Sequence, residues 1–147
     1  MLVDTSGLKA QREDPASGFI AALLKEPTIE GLKEFQRRAY AQARELPEAY
    51  WRAAAQALKA SPVASILAAQ SLSDDLDGVA SSIHVTAAMV LWGAADRITA
   101  PGEGKLWASS VPGAVYREIP GCGHLPQKEC PAEVLKALNE LVLFGVM

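Results

Sequence analysis

Val85-Thr86-Ala87-Ala88-Met89-Val90-Leu91-Trp92, running into Gly93-Ala94-Ala95-Asp96, decides the fold. Its first eight residues carry no charge and are almost all apolar. Such a run predicts a strand covered on both faces, the habit of a parallel sheet. Downstream, Pro101 opens a short helix through Trp107, because proline suits the first helical turn. Ala114-Val115-Tyr116-Arg117-Glu118-Ile119 then reads as a second strand, ending at Pro120-Gly121-Cys122-Gly123-His124. Pro131 opens the last helix, with Val134, Leu138, Leu141 and Val142 along one side. Strand, helix, strand, helix calls for a right-handed crossover and neighbouring parallel strands.

Working upstream, Leu2-Val3 reads as the end of a strand that turns at Asp4-Thr5-Ser6-Gly7. From there to about Ala60 the pattern is helical, broken at Pro15, Pro27, Pro47 and Pro62. Thr28 is placed to cap a helix whose apolar stripe is Ile29, Leu32, Phe35, Ala39 and Tyr40. Pro47 starts another, with Tyr50, Ala53, Ala54, Ala57 and Leu58 as its apolar face, and a third runs from Val63 to Leu72. Asp74, Asp75 and Asp77 resemble a calcium loop but lack its terminal glutamate, so a solvated turn is expected there.

The 147 residues suit one domain or part of a larger one, and 50% of them are hydrophobic. Fourteen basic against seventeen acidic side chains leave a net charge of −3, which gives no electrostatic reason to expect nucleic acid. No apolar run is long enough to span a membrane, and the start lacks the order of a signal peptide. A cytoplasmic protein is expected, with Cys122 and Cys130 as free thiols. Those cysteines with His124 fall short of a zinc set, so no metal and no cofactor are expected. His84 reads as a junction residue, and Trp51, Trp92, Trp107 and Tyr116 as packing residues, Trp51 being also a candidate substrate contact.

Functional groups in open parallel sheets collect beyond the carboxyl ends of the strands. Asp96 and His124 both fall there, at the ends of successive strands. An aspartate that orients an imidazole fixes its tautomer and stabilises the imidazolium, while the other ring nitrogen takes a proton. Ser6 lies on the same edge and is the candidate stand-in nucleophile, although Asp-Thr-Ser-Gly is also good turn chemistry.

Trp92-Gly93-Ala94-Ala95-Asp96-Arg97-Ile98-Thr99-Ala100-Pro101 resembles the acid loop of the α/β-hydrolase superfamily, and Ile119-Pro120-Gly121-Cys122-Gly123-His124-Leu125-Pro126 resembles its histidine loop. Leu2 to Leu8 look like the end of the strand that follows the nucleophile helix. The resemblance implies an α/β fold: the C-terminal part of an α/β-hydrolase, a short parallel sheet flanked by helices with an inserted helical cap. Residues 1–13 would be the core strand and turn, 14–62 the cap, and 63–147 the C-terminal core lobe. The family's G-x-S-x-G nucleophile elbow is not found in the chain. The implied activity is that of a carboxylesterase acting on small to medium uncharged esters through an Asp96–His124 relay, its nucleophile missing or supplied unconventionally. The implied partner is a small-molecule ester, with neither nucleic acid nor membrane. The alternative is a non-catalytic truncated module that associates, as a homodimer, through the open edge of the Leu2-Val3 strand.

Overall fold

The computed structural model of the chain describes residues 1–6, 8, 15–68 and 76–144. In chain order the elements are β1 (Leu2–Val3), α1 (Pro15–Lys25), α2 (Ile29–Ala39), α3 (Glu48–Ala60), α4 (Val63–Ala68), α5 (Asp77–Ser81), β2 (Ala88–Gly93), α6 (Pro101–Ser110), β3 (Ala114–Ile119), α7 (Pro126–Glu129) and α8 (Pro131–Phe144). The strands form a three-stranded sheet in the order β1-β2-β3, parallel throughout. Val3 pairs with Leu91, and Gly93 with Ile119. All three strands therefore end on one edge.

β2 is the middle strand, and its uncharged sequence follows from that position. Val90 and Trp92 face one side, packing with Trp107 and Val111 around α6 and with Ala80 of α5. Met89 and Leu91 face the other, against Ile119, Cys122 and Ala137 of α8. Both layers exclude water, and residues 89 to 92 are at most 3% exposed. α6 lies so close to the sheet that a Cβ on Gly104 would meet Trp92 at 2.5 Å and Tyr116 at 2.7 Å.

β3 has the bounds read from sequence, and Thr28 caps α2 by accepting from the Gly31 N–H at 3.0 Å. Three readings need correction, and one element has no counterpart among them. β2 starts at Ala88 rather than Val85, because its partner begins at Ala114; Val85 is 57% exposed. α3 buries Trp51 and Ala55, while Tyr50 and Ala53 point outward, so its apolar face is rotated from the alanine-weighted one. α8 packs through Val134, Ala137 and Leu141, leaving Leu138 and Val142 exposed. α7, a single turn after the histidine loop, carries too little periodicity to be read from sequence. Gly7, Asp74, Asp75 and residues 69–72, which bear on other expectations, lie outside the described residues.

Candidate active site

The site grows from the carboxyl end of β2. The chain turns after Gly93, with the Asp96 N–H donating to the Gly93 carbonyl at 3.1 Å. The Asp96 side chain is buried, and both its oxygens are used. Oδ1 accepts from the N–H groups of Ile98 (2.7 Å) and Thr99 (3.1 Å); Oδ2 accepts from the Thr99 hydroxyl (2.7 Å) and from His124 Nδ1 (2.9 Å). Three donors besides the imidazole thus fix the carboxylate. Arg97 is not its partner: that guanidinium donates to the carbonyls of Arg37 (2.6 Å) and Tyr40 (3.4 Å).

His124 arrives on the loop after β3, where Gly121 has φ +73°. Its own N–H donates to the Ala39 carbonyl at 2.7 Å. Glu129 ties the same loop to the residues after α2, accepting from Gly123 N–H at 2.9 Å and Ala41 N–H at 2.8 Å. With Nδ1–H donated to Asp96, and Thr99 Oγ1 also 3.2 Å away, the proton sits on Nδ1 and Nε2 presents a lone pair. No hydrogen bond holds Nε2 among the described residues. Burial acts to lower the imidazole pKa, but the Asp96 hydrogen bond and the charges of Asp96, Asp4 and Glu103 outweigh it and raise the value above the ordinary one. An imidazole so placed can accept a proton at Nε2, and the carboxylate beside it stabilises the resulting cation.

The expectation of free thiols is overturned. Cys122 and Cys130 are joined in a disulfide, with Cα atoms 6.3 Å apart, a separation a disulfide accommodates. Sequence spacing gave no sign of it, because α7 folds the intervening residues back and brings the sulfurs together. The bond closes the loop that carries His124. Closing so short a loop is expected to stabilise the fold by about 2.5 kcal/mol. Dithiothreitol, or a Cys122→Ala/Cys130→Ala double variant, should lower the urea midpoint correspondingly and broaden the His124 imidazole resonances relative to those of His84.

Ser6 is exposed on the same edge, and no hydrogen bond joins its hydroxyl to His124 among the described residues. Asp4, read from sequence only as a turn residue, is instead 8% exposed at the end of β1. Its backbone takes φ 40°, its N–H donates to the Leu91 carbonyl (3.1 Å), and its Oδ1 accepts from the Gly93 N–H (2.9 Å). Oδ2 has no hydrogen-bond partner among the described residues. Burial pushes the Asp4 carboxyl up to about 7 against the bond from Gly93, with Asp96 and Glu129 raising it and His124 lowering it. Thr99, Glu129 and Asp4 are the polar groups that motif reading missed. Only the Asp96-to-Thr99 spacing, a common side-chain-to-backbone turn, carried a signal.

A family profile described as "Alpha/beta hydrolase family" matches residues 2–137. The chain belongs to that family. Its fold also matches solved structures at low identity. A 2-hydroxy-6-oxo-6-phenylhexa-2,4-dienoate hydrolase from a Rhodococcus species is 16% identical, with a TM-score of 0.71 over 96% of this chain and 53% of that one. An N-acyl homoserine lactone degrading enzyme is 23% identical, with a TM-score of 0.65 over 92% and 54%. A thermophilic esterase from Thermogutta terrifontis is 19% identical, with a TM-score of 0.58 over 98% and 55%. The chain therefore spans about half the length of these structures. No curated protein matches it by sequence. Among the described residues no helix is long and apolar enough to cross a membrane, and no group of three His, Cys, Asp or Glu is placed to hold a metal ion.

Proposed function

We propose that the chain serves the hydrolysis of small to medium uncharged carboxylic esters, with Asp96 and His124 as its proton relay. The observation that carries this reading is the 2.9 Å bond from Nδ1 to a carboxylate already fixed by Thr99 and Ile98, which leaves Nε2 free. Nε2 draws the proton from an attacking hydroxyl as that oxygen bonds to the ester carbonyl. Asp96 stabilises the imidazolium, and the same proton then passes to the departing alkoxide. Ser6 is the candidate hydroxyl within the chain, provided it comes within about 3 Å of Nε2; the acyl group it then carries is released as the acid by water, whose proton passes through Nε2 back to the serine oxygen. In this reading α1 to α3 form the cap over the relay, and residues 63–147 its core lobe. A bonded Cys122–Cys130 pair suits an oxidising compartment better than the cytosol.

Turnover of a short-chain p-nitrophenyl ester tests the proposal. His124→Ala is expected to lower the rate about 100-fold, the low end for loss of a positioned general base. A matching loss in Ser6→Ala assigns Ser6 the attack, and an unchanged rate assigns it to water or another hydroxyl. Equal turnover by wild type, His124→Ala and Ser6→Ala removes both residues from any mechanism.

A second reading rests on the sheet. β1 pairs only with β2 among the described residues, so its outer edge is available to another strand. On this reading the chain is a module that joins a second copy edge to edge. A monomeric mass by light scattering at high protein concentration would count against it.

A further inference from the structure

A groove of about 790 Å³ lies between α2, α3 and the outer side of the histidine loop, bounded there by Gly121, Lys128 and Glu129. Neither Asp96 nor His124 lines it. Its volume falls in the range of sites that hold small organic ligands. Phe35, Tyr40, Tyr50 and Trp51 supply aromatic walls. Tyr50 and Trp51 meet edge to face at 5.2 Å, which sets the orientation of both rings. The Trp51 indole N–H is already donated to the Leu46 carbonyl at 3.2 Å, so this residue offers a ligand only its ring.

The charges at the groove differ from those around it. Nearby cations are matched: Lys33 and Arg52 with Glu48, Arg37 with Glu30 and Glu34, and Arg38 with Glu34. Arg44, between α2 and α3, and Lys128, on α7, have no carboxylate partner among the described residues, and both line the groove. Glu129, the one acid lining it, has an oxygen on each of two backbone amides, Gly123 and Ala41. The lining therefore pairs aromatic surface with two cations that lack an ion-pair partner among the described residues, against one acid whose oxygens are already taken by backbone amides, which suits a ligand with an apolar body and one anionic end.

We infer that this groove is a binding site for an amphipathic carboxylate, an aryl or medium-chain alkyl acid whose apolar part packs on Trp51 and Phe35 and whose carboxylate is held by Arg44 and Lys128. The site is distinct from the relay in its lining and does not depend on ester turnover. Its test is a binding measurement, so its failure leaves the hydrolytic proposal standing.

The full chain is titrated with phenylbutyrate and, separately, with its neutral analogue phenylbutanol. Binding is read by calorimetry and by the shift of the Trp51 indole N–H resonance, which is separable from those of Trp92 and Trp107 in the core. Phenylbutyrate should bind about tenfold more tightly than phenylbutanol, with the Trp51 signal moving and the core indoles static. An Arg44→Gln/Lys128→Gln variant changes exposed side chains only. It should bring the two affinities within about twofold of each other while preserving the melting temperature. Equal affinities in the wild type, or a preference for the acid that survives in the variant, overturn the assignment. So does an unmoved Trp51 at millimolar ligand.

Discussion

Gly93→Ala should destabilise the chain by about 4 kcal/mol or more, a large share of a typical stability of roughly 5 to 15. A Cβ on Gly93 would stand 2.0 Å from the Gly123 carbonyl oxygen, 2.7 Å from that of Cys122 and 2.8 Å from the Gly123 carbonyl carbon. All three are backbone atoms, so no rotamer change relieves the contact. An oversized side chain in a core usually costs about 1 to 3 kcal/mol because its neighbours repack. Here the neighbour is the main chain of the histidine loop, tethered by Ala94 N–H to Ile119 (3.0 Å), by Ala95 N–H to Cys122 (2.8 Å) and by the Cys122–Cys130 bond. Relief means separating β2 from that loop, which also parts Asp96 from His124. Urea unfolding of the two proteins checks the stability, and the His124 imidazole signal reports the dyad in whatever fraction folds. A variant within about 1 kcal/mol of wild type would contradict the packing described for this turn.

How much of this was legible in the sequence depends on whether the determinant is local. The central strand was, since being covered on both faces leaves a mark on every residue from Ala88 to Trp92. Asp96 and His124 were, because each follows a strand by a few residues and the parallel order brings those ends together. The supporting groups were not. Glu129 bridges Gly123 and Ala41, which are 82 residues apart in the sequence, a relation that periodicity cannot encode. The disulfide depends on a four-residue turn too short to leave a pattern. The face of α3 was misread because alanines spread around a helix dilute its moment, whereas one tryptophan, Trp51, determines what it buries. Asp4 was hidden by its own composition: Asp-Thr-Ser-Gly looks like a turn, and it is the parallel pairing with Leu91 that draws this carboxyl indoors.

That buried carboxyl should make Asp4→Asn a stabilising substitution at alkaline pH and a neutral one in acid. Asp4 is held at about 7 in the folded chain against an ordinary 3.8, because burial with one oxygen lacking a donor disfavours the anion. Between those values the folded chain keeps a proton that the unfolded chain has released, so stability falls as pH rises through the window and levels off above it. The full difference corresponds to about 4 kcal/mol, an upper bound that relaxation or water entry around the carboxyl reduces. Asparagine keeps a carbonyl to accept from the Gly93 N–H but cannot ionise, so this dependence disappears with it. The groups facing Asp4 do not reverse the sign. Asp96 and Glu129 add to the cost of the anion, and His124 offsets part of it only while protonated. His124 itself, with its pKa raised in the fold, contributes stability that is present below the ordinary imidazole value and lost as pH rises through the folded one. That slope runs in the same direction, and the remainder of it survives in the variant. Urea midpoints at about pH 4, 6 and 8 should therefore coincide for the two proteins at the acid end and diverge toward the alkaline end, with Asp4→Asn the more stable by up to about 3 to 4 kcal/mol. Parallel curves would mean that Asp4 ionises in the fold as readily as in the unfolded chain, and that its oxygen is not shut away from water at the end of β1.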